Sequence, residues 1–467
     1  MSNGSGVQAT VSAGGPAWKT LTRSMGVKLI VVCGLGLMMV IPAVFVFALI
    51  GDRKDREADV VKEISQHVGG QQDFLGPMLA IPYTVPPESA TEASRHGMYL
   101  VFPARATAFV KTATEERKRS LFKVPVFTAE LKLDGAFDLT AAPASAPAGA
   151  QLDWSRAEVL AGVSDARGAL ADAVMTAGGK AETMTPAQSA QNIQFGGEQG
   201  GPPVQLTLFG APAGDVAKPN AQFSASATLR FSGAQRIAVL AYGKTTHLTI
   251  AGDWPSPSFD GGFLPVTRRV TNHGFNAEWS VPFIARGVRA EGPSESITGL
   301  ASTALGVSFV EVADPYQSVT RSLKYVPLFL GLVFLSYFIF EVSTGKRVHP
   351  AQYILVGIAQ IIFYLLLLSF AERIGFDFGF LIAGLATVTL LAANAGWIFA
   401  SRVHGTRALG IFTALYLLIY ALLRLEDNAL LVGALASFAA VAAAMYFTRR
   451  IDWYGSMPEK SSDGPVN

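Results

Sequence analysis

One cysteine and six histidines stand among 467 residues. The single thiol, Cys33, excludes an intrachain disulfide and any cysteine-built zinc or iron–sulfur site. His67, His96, His247 and His273 share the middle of the chain, but none lies four residues from another and H-E-x-x-H is absent. A zinc site therefore has no support in the spacing. The nucleophile elbow G-x-S-x-G is missing, as are the phosphate cradles G-x-x-x-x-G-K-[ST] and G-x-G-x-x-G. Serine-hydrolase chemistry and ATP or dinucleotide binding lose their usual frames, and no cofactor is expected. Charge is scarce as well: 15% of residues are charged, against about 25% in soluble domains. Lys and Arg number 37 against 35 Asp and Glu, a formal charge of +2. That balance offers no field for nucleic acid.

What remains is apolar: half of the residues are hydrophobic, and they cluster. A bilayer core about 30 Å thick needs roughly 20 apolar residues as a helix. Leu29 to Gly51 is uncharged, flanked by Lys28 and by Asp52, Arg53 and Lys54. It is too long for a cleaved signal peptide and lacks a small-residue cleavage pattern, so it reads as an uncleaved signal anchor. Five more runs follow: Tyr325–Phe340, Ala351–Phe370, Gly379–Ala400, Ala408–Leu423 and Ala429–Phe447. The two shorter ones span if Lys324, Glu341, Arg407 and Arg424 snorkel at the interface. Lys and Arg count ten against two in favour of the N-terminal tail, loops 341–350 and 401–407, and the C-terminal tail. The positive-inside rule then puts both termini in the cytoplasm. The expected organisation is a cytoplasmic tail (1–28), an anchor helix (29–51), an exported segment (52–324), five helices (325–447) and a cytoplasmic tail (448–467).

The exported segment holds 25 basic and 27 acidic residues in 273. This is no polybasic surface for lipid head groups. Asp55 to His67 places Val60, Val61, Ile64 and Val68 on one helical face, closed by Gly69-Gly70. The remainder alternates as β structure around Met98–Phe102, Leu121–Leu139, Thr228–Ile250 and Phe275–Val288, the last as a strand pair. Ala157 to Met175 is expected to be helical, and 141–151 and 183–203 to be long loops. The fold class is thus an α+β membrane protein: six transmembrane helices with a large, mainly-β domain between the first and second.

Particular motifs punctuate this frame. GGQQDFLGPMLAIPY runs from Gly69 to Tyr83, and GDWPSPSF from Gly252 to Phe259. Gly274-Phe-Asn-Ala-Glu-Trp279, GVSFVEVADPYQSVTRSLKY (306–325), His349-Pro-Ala-Gln-Tyr353, Glu372-Arg-Ile-Gly-Phe376, Leu425–Leu431 and Thr448–Tyr454 follow. In this order and spacing the chain resembles the CreD family of bacterial inner-membrane proteins, from about residue 50 to 455. The resemblance implies a Gram-negative inner-membrane location and a periplasmic domain. It also implies a link to envelope integrity, colicin tolerance and a two-component regulon tied to carbon source and β-lactam response. It supplies no catalytic residues.

Two groups of side chains are candidate functional surfaces. Asp253, Trp254 and Phe259, with Trp279, gather aromatics in a turn-rich stretch. Their ring faces could stack on a sugar or peptidoglycan; equally, they could anchor two strands. Glu372, Arg373 and Asp377 bracket one connection, and Arg424, Glu426 and Asp427 the next. They form either a cation or proton site at the mouth of the bundle or interfacial salt bridges. The reading that results is a non-enzymatic protein of the envelope, in the lipid bilayer, with an envelope protein or peptidoglycan as partner. A homo-oligomer is compatible with the small-residue row through Gly433 and Ser437. A transporter or channel, and last a membrane enzyme on lipid-linked substrates, are the alternatives.

Overall fold

The computed structural model describes residues 25–87, 93–119, 121–187, 195, 205–310, 315–424 and 429–449. The chain divides into two compact units: Met1–Asp55 with Ala313–Asn467, and Arg56–Val312. The first is helical and the second is built on β-sheets.

The anchor run crosses two helices, α1 (Met25–Met38) and α2 (Val40–Val68). The break at Met39 has its cause in Pro42, which lacks an N–H and crowds the carbonyl four residues back, at Met38. Then come α3 (Pro315–Lys324), α4 (Val326–Thr344), α5 (Pro350–Ile374), α6 (Phe376–Ile398), α7 (Arg402–Arg424) and α8 (Ala429–Thr448). Among the described residues, five helical segments are long and apolar enough to cross a membrane; α8 adds a further apolar helix. The local signals are plain. Pro350 opens α5, and the His349 imidazole caps it, accepting from Ala351 N–H at 3.2 Å. Edge-to-face rings hold the bundle: Phe329 and Phe363 lie 4.7 and 4.9 Å from Tyr416, and Phe380 lies 5.5 Å from Phe363. Such contacts matter because lipid gives helices no hydrophobic reason to associate. Helix α3 is amphipathic, burying Tyr316, Val319 and Leu323. Its residues, read in sequence as the end of the middle segment, belong to the helical unit.

The β unit is a two-sheet sandwich. The first sheet contains β1 (Gln72–Val85), β2 (Arg95–Val101), β5 (Gln151–Leu152), β6 (Glu158–Val163), β9 (Thr185–Pro186), β10 (Thr207–Pro212), β12 (Arg236–Leu240), β14 (Pro257–Gly261), β17 (Glu291–Pro293) and β18 (Ala304–Phe309). The second, in spatial order, contains β15 (Thr267–Thr271), β16 (Gly274–Val281), β13 (Thr245–Gly252), β3 (Arg105–Arg119), β4 (Phe122–Asp138), β11 (Gln222–Ala234), β7 (Val174–Ala177) and β8 (Lys180–Thr183). Pairing is antiparallel except for β1 with β12 and β3 with β13. The end of α2 packs Val61, Ile64 and Val68 on Val124, Val126 and Ala234. Gly69 and Gly70, both at positive φ, end that helix, and Gly70 N–H bonds Ser65 O at 2.8 Å.

Of 183–203, expected as a loop, Thr183 ends β8 and Thr185–Pro186 forms β9, while 188–194 and 196–203 lie outside the described residues. Two further expectations fail. Residues 157–175 are not a helix: Glu158–Val163 forms β6, and a 3₁₀ turn (Ala166–Gly168) leads toward β7. β6 lies between β1 and β10 and is buried along most of its length, so its near-continuous apolar run is that of an interior strand. Residues 275–288 hold one strand, β16, followed by a one-turn helix, Phe283–Arg286, rather than a strand pair.

Tyr242 joins the sheets. Its hydroxyl donates to Thr107 O and Asp134 O, both at 3.0 Å, on β3 and β4. Its ring lies over Gly76 of β1, where a Cβ would overlap it. Burial pushes this phenol well above its ordinary pKa, so it stays a donor. Tyr242→Phe is expected to cost about 1–3 kcal/mol by stranding buried carbonyls, and Gly76→Ala about as much by overpacking. Thermal unfolding of the full chain in detergent, followed by β-sheet circular dichroism, measures both.

Candidate functional site

Strand alternation decides which side chains of the β unit can meet a partner. Along β3, residues 106, 108 and 110 point into the sandwich and 107, 109 and 111 point out. β4, β11, β13 and β16 keep the same rhythm. Register then aligns the outward residues into rows. One row reads Glu278, Thr249, Phe109, Lys132, Thr228; the next reads Asn276, Ala251, Lys111, Glu130, Arg230. Phe109 is half exposed (52%) in the middle of this polar field. Around it lies an open trough of about 870 Å³, with Lys111, Lys132, Arg230 and His273 on its walls. A second depression, of about 590 Å³, adjoins it through Lys132 and is lined by Arg105, Thr107, Thr176 and Ser226. Together they offer hydroxyls, both signs of charge and one ring face to an extended ligand.

The aromatic motif picked out in sequence sits elsewhere. Trp279 is buried (2%), and its indole N–H donates to Phe263 O at 3.0 Å. Phe259 packs edge-on against Phe275 and Trp279. Trp254 donates to Val310 O at 3.1 Å and meets Phe309. These rings fasten strands, and the buried face of Trp279 is closed to stacking. Asp253 borders the trough and accepts twice from Thr114 N–H, at 2.9 and 3.1 Å.

In the helical unit, the connection residues separate into two clusters. Glu372, nearly buried, accepts from the Tyr316 hydroxyl at 3.0 Å and lies 3.9 Å from Arg53. Asp377 forms an ion pair with Arg424 and accepts from the Tyr420 hydroxyl at 3.0 Å. Arg424 also donates to Tyr420 at 3.4 Å. Arg373 is exposed. Glu426 and Asp427 lie outside the described residues.

The sequence reading missed the most deeply buried charge among the described residues. Glu341, expected to snorkel at the interface, is wholly buried. It is ion-paired with Lys28 of α1. Its Oε1 accepts Val348 N–H at 3.0 Å, and its Oε2 accepts the Tyr353 hydroxyl at 3.1 Å. Lys28 donates in addition to Val348 O at 2.7 Å. The partner explains the correction: a carboxylate that can reach an ammonium and two more donors need not turn outward. The available signal was Lys28 and Glu341 at the ends of two apolar runs that share an expected membrane face. Further in, Gln360 and Tyr364 are buried with polar atoms that have no hydrogen-bond partner among the described residues. In the β unit, Arg286 is buried over the Phe102 ring, 4.4 Å from its centroid, and burial pulls its pKa down to about 10.

The family model described as inner membrane protein CreD matches residues 24–454. A curated relative, Inner membrane protein CreD of Escherichia coli (strain K12), is 32% identical over 446 residues, covering 93% of this chain and 95% of that protein.

Glu341→Ala leaves the Val348 N–H and the Tyr353 hydroxyl without their acceptor, and the part-buried Lys28 ammonium with the Val348 carbonyl but no counter-charge. It is expected to lower stability by about 3–5 kcal/mol, while Lys28→Met with Glu341→Met restores most of the loss. Thermal unfolding of the two variants in the same detergent distinguishes a coupled pair from independent charges.

Proposed function

Because the chain belongs to the CreD family of inner membrane proteins, we propose that it is a non-enzymatic envelope protein whose β unit works on the periplasmic side. It holds a protein or peptidoglycan partner on the outer face of the second sheet. Through that partner it contributes to envelope integrity and to the response to envelope stress, antibiotics or colicins. The observation that carries this reading is the trough around Phe109. A large ring held half in water at the centre of a polar sheet face, inside an open trough, is available to a partner as an apolar anchor. Mixed charge around it favours recognition over general adhesion to anionic lipid. The excess of Lys and Arg on the opposite connections supports the orientation, with both termini cytoplasmic.

Orientation is checked with single cysteines in a Cys33→Ser background. Ser280→Cys should react with a membrane-impermeant maleimide in intact spheroplasts, and Thr406→Cys only after lysis. Binding is checked by placing a photo-crosslinking residue at position 109 in cells. An envelope-protein or muropeptide adduct is expected, lost in Lys132→Glu with Arg230→Glu. Absence of any adduct, or adducts indifferent to the charge reversals, sinks the proposal.

A further inference from the structure

The helical unit carries a second concave feature, independent of the β unit. Between α6 and α7 runs a groove of about 410 Å³, walled by Leu381, Leu385, Val388, Tyr416 and Leu417. Gly384 makes it deep: a Cβ there would already touch the Tyr416 ring at 3.4 Å, and any longer side chain would occupy the channel. The rim is apolar and open, with Leu381, Leu385 and Leu417 each more than 60% exposed. The groove extends along α6 from Asp377 to Val388. Eleven steps of 1.5 Å rise make about 16 Å, which matches half of a hydrocarbon core about 30 Å thick. Its length is therefore that of one leaflet.

The mouth is polar and carries both signs of charge. Asp377 and Arg424 are paired there, each half exposed (51% and 56%), with the Tyr420 hydroxyl bonded to the carboxylate. We propose that this groove is a binding site for a glycerophospholipid with a primary ammonium head group. One acyl chain lies between α6 and α7, the phosphate meets Arg424, and the ammonium meets Asp377. The Arg fork suits a phosphate, and the carboxylate accepts N–H bonds from a primary ammonium. A quaternary head group cannot donate those bonds. A lipid with net negative charge would bring an uncompensated phosphate beside Asp377. The adjacent cation and anion thus favour a zwitterion over either alternative, and the one-leaflet depth favours a lipid over a soluble amphiphile.

The test uses the full chain in nanodiscs of equal phosphatidylethanolamine and phosphatidylglycerol, followed by release into the gas phase and native mass spectrometry. Retained phosphatidylethanolamine is expected to exceed phosphatidylglycerol by at least several-fold. Gly384→Leu, which fills the groove, should abolish the retained adduct. Asp377→Asn keeps the volume, and it should erase the preference between the two lipids while some lipid is still retained. Helical circular dichroism of each variant separates a lost site from a lost fold. Equal retention of both lipids by the unmodified chain marks an unselective boundary layer and overturns the proposal. Lipid retention unchanged by Gly384→Leu does the same. So does a disulfide between Leu385→Cys positions of two copies, which would show the groove covered by a second chain.

Discussion

A charge inside a membrane bundle persists only with a partner, and in the helical unit that requirement decides the architecture. Lys28 belongs to α1, near the start of the described chain, and Glu341 to α4, more than 300 residues later. Their pairing, with Tyr353 of α5 and the Val348 backbone, ties three helices at one point. Van der Waals packing draws the helices together, and an interhelical polar contact adds one fixed point to it. The pair sets the Lys28 face of α1 against α4 and α5. The edge-to-face rings of Phe329, Phe363, Phe380 and Tyr416 then fill the space so defined.

In the β unit, the corresponding constraint is the period of two. The inward residues of β3, β4, β11 and β13 are mostly Ala, Val, Leu and Ile, with Phe127, Phe137 and Phe231 among them, and the two sheets close over Tyr242. The outward residues are freed from packing, and the register lines them up. The polar outer face thus arises from the same alternation that makes the core. The parallel pairing of β3 with β13 brings residues about 140 positions apart into one row, so that Thr249 stands beside Phe109.

What was legible in the sequence follows from how local each signal is. Helix-length apolar runs, a His-Pro start at 349–350 and a Gly-Gly stop at 69–70 act within one or two turns, and the helices they mark are present. The strand character of 121–139 is likewise visible in its alternation. Residues 157–163 misled because an interior strand buries both faces and loses its alternation, leaving an apolar run that periodicity cannot tell from a helix. The amphipathic spacing of Tyr316, Val319 and Leu323 was there to read, but it is only two turns long. Glu341 and Phe109 were missed for a different reason. Their meaning depends on neighbours supplied by distant parts of the chain, Lys28 for one and Lys132 and Thr249 for the other. The Trp279 and Phe259 motif was conspicuous because aromatics are conspicuous, yet the rings go to the core, where their area stabilises most.

That contrast bears on where activity resides. A ring that could be buried is worth roughly 1.5–3 kcal/mol to the fold when it is. The β unit collects this at Trp279, Tyr242, Phe127 and many other positions, and forgoes it at Phe109. The neighbours of Phe109 in its row are Thr249 and Lys132, which neither cover it nor extend it into an apolar patch that would drive aggregation. An isolated ring set among hydroxyls and opposed charges gives an incoming surface one apolar anchor and a surrounding of oriented polar groups. Anchors of that kind supply most of the affinity in recognition, and the polar surround supplies the selectivity. The groove between α6 and α7 has the same composition, with leucines along its walls and the Asp377–Arg424 pair at its mouth. Each unit thus sets apolar side chains beside charge, Phe109 next to Lys132 in the one and the leucines of α6 and α7 next to Asp377 and Arg424 in the other.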